Sequence, residues 1–430
     1  MFKSRHGQIK PIYLYAIVII VIIIAIGTAA YYTVFYKPPP PPKEVIKIGV
    51  SFGLSGAYAA PSQRQLWGVL MWVEEINEQG GIYVKEYGRK LKVQLIYYDD
   101  RSDPATAVKL YERLITEDKV DILLGPYASG ITFAVAPVAE KYKKVMISQM
   151  AAADKIPAQG YKYVFTTLPV TSQFALSRVE LLNYLKKEKG YDIKTFALIT
   201  SSELYPLSVA RPTKTLLEKE GYKCVLYEEY PKGLTDFSAI LLKAKEANPD
   251  FLYFVCYPAD AYIIMRQLKG IGFKPKLIMF DDGPNDPKFV ETFGDVAEGV
   301  LTQMSWHWEL PFEGVKEFTE KFKARYGEYP RHWSAFPYAA CQVIKAAIEK
   351  AGTLDNEKIR ETLLTMKNIP TIVGPVTYGD WTNPMGQKLY QINLNGRNLV
   401  LQIQKGQMRI VIPRKYSTVE IMFPWPGWGE

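Results

Sequence analysis

The sequence predicts an α/β protein of two lobes, each built on a doubly wound sheet, joined by three crossovers and preceded by one apolar N-terminal helix. Three observations predict it. From Glu44 onward, short apolar runs alternate with helical stretches of about 10–15 residues. The alternation starts afresh after Thr171, and residues 12–36 carry no charged side chain. A parallel strand needs a crossover helix, and helices on both faces bury the sheet, so its strands read as unbroken apolar runs.

The N-terminal segment comes first. MFKSRHGQIK is basic and without acid, and the next 25 residues, 12–36, are uncharged. At about 1.5 Å per residue that run is about 37 Å long, enough to cross a bilayer with some tilt. The basic flank places the N-terminus inside the cell and the rest outside. Residues 1–36 are therefore expected to be a cytoplasmic stub and an uncleaved single-pass anchor in the cell membrane. The alternative is a cleaved signal peptide, for which GTAA at 27–30 offers small residues, although the apolar run continues past it as YYTVFY. PPPPP, within a linker at 37–44, reads as a polyproline spacer or as a plain tether.

In the first unit VIKIGVSF is a strand and QLWGVLMWVEEINEQGG a helix ending at Gly80 and Gly81. LKVQLIYYDD is the next strand. A helix follows to Asp118, with Asp103 as N-cap and Pro104 as its first residue. DILLG, VAPVAEKYKK and VMIS continue as strand, helix and strand. The second unit opens with a helix over 172–187, then runs TFALIT, LSVARPTKTLLEKEG, KCVLYEEY, FSAILLKAKEA, FLYFVC, ADAYIIMRQLKGIG and KLIMF. A strand follows within 300–306, then helices through Met366, then short strands with Gly and Asn turns. Two sheets imply two lobes: residues 45–168 with 306–373, and 169–305 with 374–430. The chain is expected to cross between them near 167–171, 300–305 and 372–378.

Several function classes are excluded by composition and motif. The chain has 430 residues, 48% hydrophobic and 23% charged, a globular composition. Its net charge of +9 is scattered, and the densest cluster, KKEK at 186–189, reads as a solvated helix end rather than a nucleic-acid surface. Cys224, Cys256 and Cys341 form no CxxC pair, so they imply neither a metal site nor a disulfide framework. GVSFG at 49–53 matches the nucleophile-elbow pattern, but LSGAYAAPS continues as a loop of about ten residues where a helix is required. Only His307 and His332 follow it, both in aromatic surroundings that suit packing, so no enzyme is expected. No GxxxxGK[ST] occurs, so any ATP hydrolysis through such a loop belongs to another polypeptide.

Open α/β sheets bind ligands beyond the carboxyl ends of their strands, where the strand order reverses. That rule marks GPYASG, QMAAAD, SSELY, YPAD and DDG. Gly125 and Pro126 turn the chain, and Ser129 and Gly130 open a helix. Free N–H groups there make an anion site to which Ser129 can donate, or Ser129 is simply the N-cap.

Seven segments carry a resemblance: IKIGVSFGLSGAY, EEINEQGGI, YYDDRSDPATAV, GPYASGITFAVAPVAEKY, AEGV, PYAACQVIKAAIEKAG and FPWPGW. In this order, from about Val45 to Pro426, they resemble the leucine/isoleucine/valine-binding protein family of solute receptors, of type I periplasmic-binding-protein fold. The resemblance implies a free amino acid between the lobes, its carboxylate held by Ser129 and nearby N–H groups. Met150 and Ala152 match a small residue and a threonine that also hold it, so the threonine hydroxyl is absent here. From the second lobe, Tyr257 matches a tyrosine that closes on the ligand and Asp282 the acid that pairs with its ammonium, with Tyr205 a further aromatic. The first-lobe aromatic is replaced near Pro61, with Tyr58 three residues away. Tyr257 could instead be an ordinary interface tyrosine. Asp282, before Gly283 and Pro284, could be a turn residue with Asp281 in its place.

The resemblance implies an extracellular solute-binding receptor of an ABC importer, closing by a hinge on a branched-chain-like amino acid and delivering it to a permease with separate ATPase subunits. It implies no cofactor and no metal. A carboxylate lacking an amine, a short peptide, or a sensing ectodomain that signals through a separate partner are the alternatives. The ten or so residues before the anchor are too few for a cytoplasmic signalling domain.

Overall fold

Two sheets organise the chain beyond Glu44, in a computed structural model that describes residues 11–34 and 43–428. The expected cytoplasmic stub at 1–10 and most of the Pro-rich linker, 35–42, lie outside the described residues. Met1–Lys43 and Glu44–Glu430 form separate units. The first contains α1 (Pro11–Val34), a helix of 24 residues with no acid in its first turn and no base in its last. Among the described residues no helix is long and apolar enough to cross a membrane. The side chains of α1 are described without a break only over residues 15–31. The expected transmembrane helix is thus not shown.

In the second unit the chain order is β1 (Val45–Phe52), α2 (Ala59–Glu78), β2 (Ile82–Val84), β3 (Arg89–Asp99), α3 (Pro104–Thr116), β4 (Ile122–Leu124), α4 (Ser129–Lys141), β5 (Met146–Ser148) and β6 (Val164–Thr166). Then come α5 (Thr171–Asn183), β7 (Thr195–Ser201), α6 (Leu204–Lys219), β8 (Lys223–Tyr230), α7 (Ser238–Ala247), β9 (Phe251–Val255), α8 (Pro258–Ile271), β10 (Leu277–Phe280), α9 (Pro287–Phe293) and β11 (Leu301–Met304). Three helices follow, α10 (Val315–Tyr326), α11 (His332–Ala351) and α12 (Asn356–Thr365). The last strands are β12 (Tyr378–Thr382), β13 (Lys388–Asn393), β14 (Leu399–Gln404) and β15 (Gln407–Ile412).

One sheet has the order β12-β13-β6-β5-β4-β1-β3-β2 and the other β15-β14-β11-β10-β9-β7-β8. In each, the opening strand sits between the next long strand and the third: β1 pairs in parallel with β3 and β4, and β7 with β8 and β9. Strand order therefore reverses there, and the loops after β4, β5, β7, β9 and β10 open at those carboxyl ends. The expected crossover near 372–378 is corrected by the pairing of β13 with β6. β12 and β13 belong to the first sheet, so the chain leaves it only after Asn393, and residues 374–393 are part of lobe 1.

Local chemistry explains most boundaries. The Asp103 side chain accepts the Thr106 N–H at 2.7 Å and starts α3 as expected. α2 begins at Ala59, earlier than its apolar pattern suggests, because Pro61 fits a first helical turn. The loop after β1 is thereby shortened to residues 53–58. Ser51, the decoy nucleophile, donates to Asp100 Oδ2 at 2.7 Å and is buried. Helices α2 and α11 meet closely at Gly68, where an added Cβ would lie 2.2 Å from the Ser334 carbonyl oxygen. Gly68→Ala must push the two helices apart, and a loss of about 1–3 kcal/mol in urea unfolding is expected.

Candidate functional site

One cavity lies between the lobes, and all six residues singled out from the sequence line it. Ser129, Met150 and Ala152 come from the first lobe and Tyr205, Tyr257 and Asp282 from the second. Unfilled space there amounts to about 360 Å³, the size of a small-molecule site.

The first-lobe floor is the turn from β4 into α4. Gly125 donates its N–H to Ile147 O at 2.9 Å and to Gln149 Oε1 at 3.0 Å, and the Gln149 amide donates back to the Gly125 carbonyl. This clamp ties the turn to the loop after β5. Ala128 is the residue before α4 and holds φ 71°, ψ 137°, a conformation costing on the order of 1–3 kcal/mol for an L residue. Ser129 is therefore the first helical residue and not the N-cap. Its Oγ accepts the Ala153 N–H at 3.1 Å, which leaves its own hydroxyl hydrogen to donate. The first N–H groups of α4 have no acceptor within the helix, so the floor is a cluster of donors at the positive end of a helix dipole.

The second-lobe wall is acidic and aromatic. Asp281 and Asp282 follow β10, and the structure separates their roles. Arg178 donates to Asp281 Oδ1 at 2.8 Å, with both side chains fully buried. The Tyr253 and Tyr205 hydroxyls donate to the same carboxylate. Asp281 is thus fully engaged and does not stand in for Asp282. Asp282 lines the cavity and accepts from the Asn285 amide at 2.7 Å. Burial, and next the charge of Asp281, push its carboxyl up to about 8, against the opposing hydrogen bond from Asn285.

Tyrosines link the two sides. Tyr58 places its ring 5.4 Å from both Tyr127 and Tyr257, and Tyr257 lies 5.8 Å from Tyr205. Tyr58 donates to Glu203 Oε1 at 2.9 Å and accepts from Lys232 Nζ at 3.4 Å, two hydrogen bonds that latch the lobes, while Lys232 and Glu203 pair at 3.1 Å within the second lobe. Burial first pushes the phenols of Tyr127, Tyr205 and Tyr257 well above their ordinary value, so they remain hydroxyls.

Sequence reasoning missed Tyr127, Gln303, Ser305, His332 and Trp333, which also line the cavity. Gln303 lies in β11 and Ser305 just follows it, in a stretch the sequence marks only as a strand and crossover. His332 and Trp333 begin α11; a helix N-terminus carrying both was the available signal. His332, read as a packing histidine, is buried and pulled down to about 3 by burial and then by Arg331, so it is neutral. His307 does pack, its ring 3.8 Å from that of Trp308. Cys256 and Cys341 are free and buried, and burial pushes both thiols up.

The sequence model of one family, described as periplasmic binding protein, matches residues 45–398. The chain belongs to the periplasmic binding protein family. It is a solute-binding receptor, in a family of substrate-binding proteins rather than enzymes. It is 29% identical over 328 residues to the leucine-, isoleucine-, valine-, threonine- and alanine-binding protein of Pseudomonas aeruginosa, covering 74% of this chain and 82% of that one. It is 28% identical over 391 residues to Leu/Ile/Val-binding protein homolog 7 of Brucella abortus, covering 88% and 94%. The crystal structure of a leucine binding protein from Thermotoga maritima superposes with a TM-score of 0.73 at 25% identity, over 86% of this periplasmic binding protein and 99% of that chain.

Proposed function

We propose that this receptor binds a free α-amino acid with a compact apolar side chain and delivers it to an ABC permease whose ATPase subunits are separate chains. The observation that carries the reading is the pairing of opposite chemistries across one cavity. A cluster of N–H and hydroxyl donors at Ser129 faces it from one lobe, and Asp282, the acid among its lining residues, faces it from the other.

In this reading Ser129 and the first N–H groups of α4 hold the ligand carboxylate. Ala152 contributes backbone and space, and Met150 an apolar wall. Asp282 holds the ammonium, while Tyr205 and Tyr257 cover the side chain. Binding to the first lobe followed by closure of the second excludes water, which strengthens both charge-assisted contacts. The uncharged run at 12–36 and its basic flank support tethering of the receptor to the outer face of the cell membrane.

The test is a thermal unfolding series on the full chain, stripped of retained ligand by unfolding and refolding. A ligand at 100 times its Kd adds about 2.7 kcal/mol of stability. A rise in Tm with Leu, Ile, Val or Ala, and none with succinate or dipeptides, is expected. A rise with dipeptides alone would sink the reading. A second reading has its own observation: the raised Asp282 carboxyl is a hydrogen-bond donor while protonated, which suits a carboxylate that lacks an amine.

A further inference from the structure

A second cavity between the lobes, about 750 Å³, lies beside the loop that leads into α11. Trp308, Tyr329 and Arg331 line one side and Pro284, Val290 and Met408 the other. Arg331 is only 5% exposed, yet among the described residues no carboxylate is in ion-pair contact with its guanidinium: Glu328 and Asp286, the nearby acids, are held by Arg64 instead. Its one side-chain hydrogen bond runs from Nη1 to the Met408 sulfur at 3.4 Å, a weak acceptor, and its Nε is buried without a partner. The guanidinium lies 5.2 Å from the centre of the Trp308 ring, which stacks on Tyr329 at 4.8 Å.

The ring of His307 also stacks on Trp308, at 3.8 Å. A buried cation is ordinarily paired, and a guanidinium left unpaired beside a cavity is poised for an anion. The acids on the cavity wall restrict which anion. Asp286 is 3.8 Å from Arg64 and caps α9, and Glu291 is exposed on the rim. Their charges oppose a dianion more than a monoanion, and the walls of Trp308, Tyr329, Val290 and Met408 suit a short apolar group.

We propose that this cavity is a second binding site, for a small monocarboxylate, with the carboxylate forked onto Arg331 and the apolar end against Trp308, Tyr329 and Met408. It is separate from the cavity that holds Asp282. An occupant touching both lobes favours their closed arrangement.

Tryptophan fluorescence and Tm of the full chain, titrated with sodium acetate and sodium propionate against sodium chloride at equal ionic strength, test this. Both carboxylates are expected to give saturable changes, with propionate about three- to fourfold tighter for its extra CH2. Arg331→Met is expected to fold, since it removes a buried charge whose desolvation no ion pair offsets, and to weaken both carboxylates at least tenfold. Trp308→Phe should remove most of the fluorescence change and, with part of the apolar wall lost, weaken both carboxylates less than Arg331→Met does. A response no larger than that to chloride, one unchanged in Arg331→Met, or one lost in Asp282→Asn would overturn the proposal. So would sodium phosphate binding more tightly than propionate.

Discussion

Asp282→Asn is expected to weaken amino-acid binding by at least about 30-fold, and to make the ligand-free protein more stable at neutral pH. The first effect follows from removing one partner of a buried charge-assisted pair, which costs about 2–5 kcal/mol. The second follows from the raised carboxyl, held up to about 8 by burial and then by Asp281. An unfolded chain ionises an aspartate near 3.9, so the folded protein binds more protons between that value and 8. This group's contribution to stability is present in full below pH 3.9 and is lost as pH rises through 8. An asparagine has no proton to lose. At pH 7 the gain is on the order of 1–3 kcal/mol once water entering through the cleft is allowed for.

The same carboxyl gives ligand binding a sign. An ammonium requires the carboxylate, so binding expels a proton from Asp282 at neutral pH. Affinity should fall about tenfold for each pH unit below 8. Calorimetry at pH 6.5 in two buffers of different ionisation enthalpy should find close to one proton released. An amine-free carboxylate would show the reverse, holding Asp282 protonated and losing affinity above pH 8. A flat profile from pH 6 to 9 would remove Asp282 from the binding site under either reading.

The fold was legible wherever one strand or helix sufficed to recognise it. TFALIT, FLYFVC and KLIMF are buried on both faces and read as strands without context, and they are β7, β9 and β10. β6, in YKYVFTT, was invisible because three residues between polar neighbours become a strand only by pairing with β5. The allegiance of β12 and β13 was equally hidden. Their Gly and Asn turns predict hairpins, but which sheet they extend is decided by a single parallel pairing, Ile392 with Thr166.

In the site, the residues at strand ends were placed by topology and by family resemblance, and all six reach one cavity. What the sequence could not tell was the choice between Asp281 and Asp282. That choice rests on Arg178, 103 residues away in sequence, whose guanidinium takes one carboxylate and leaves the other free. The seat of Ser129 was equally non-local, since the strained Ala128 takes the cap position and hands Ser129 to the cavity.

Arg178→Met is expected to be the most damaging single change in stability, about 3–5 kcal/mol by urea unfolding at pH 7. The side chain is wholly buried, and one guanidinium serves five acceptors: Asp281, the Tyr253 hydroxyl, the Phe174 carbonyl, the Ser177 hydroxyl and the Asn398 amide oxygen. Its removal leaves the Asp281 carboxylate in the interior with only two tyrosine hydroxyls. The change reaches the ligand site by two routes. Tyr205 is held to the cavity wall by its bond to Asp281. Arg178 also opposes the upward push on the Asp282 carboxyl, so its loss should move the pH threshold for amino-acid binding higher. Arg178→Met with Asp281→Leu separates the two routes. The double change removes the stranded charge and should recover most of the stability, because a buried ion pair replaced by apolar groups is often neutral. It should leave the Tyr205 hydroxyl with only the bond from the Gln303 amide at 3.3 Å, and binding still impaired. If the single change costs under 1 kcal/mol, or the double change restores full affinity, Arg178 is not what shapes the acidic wall.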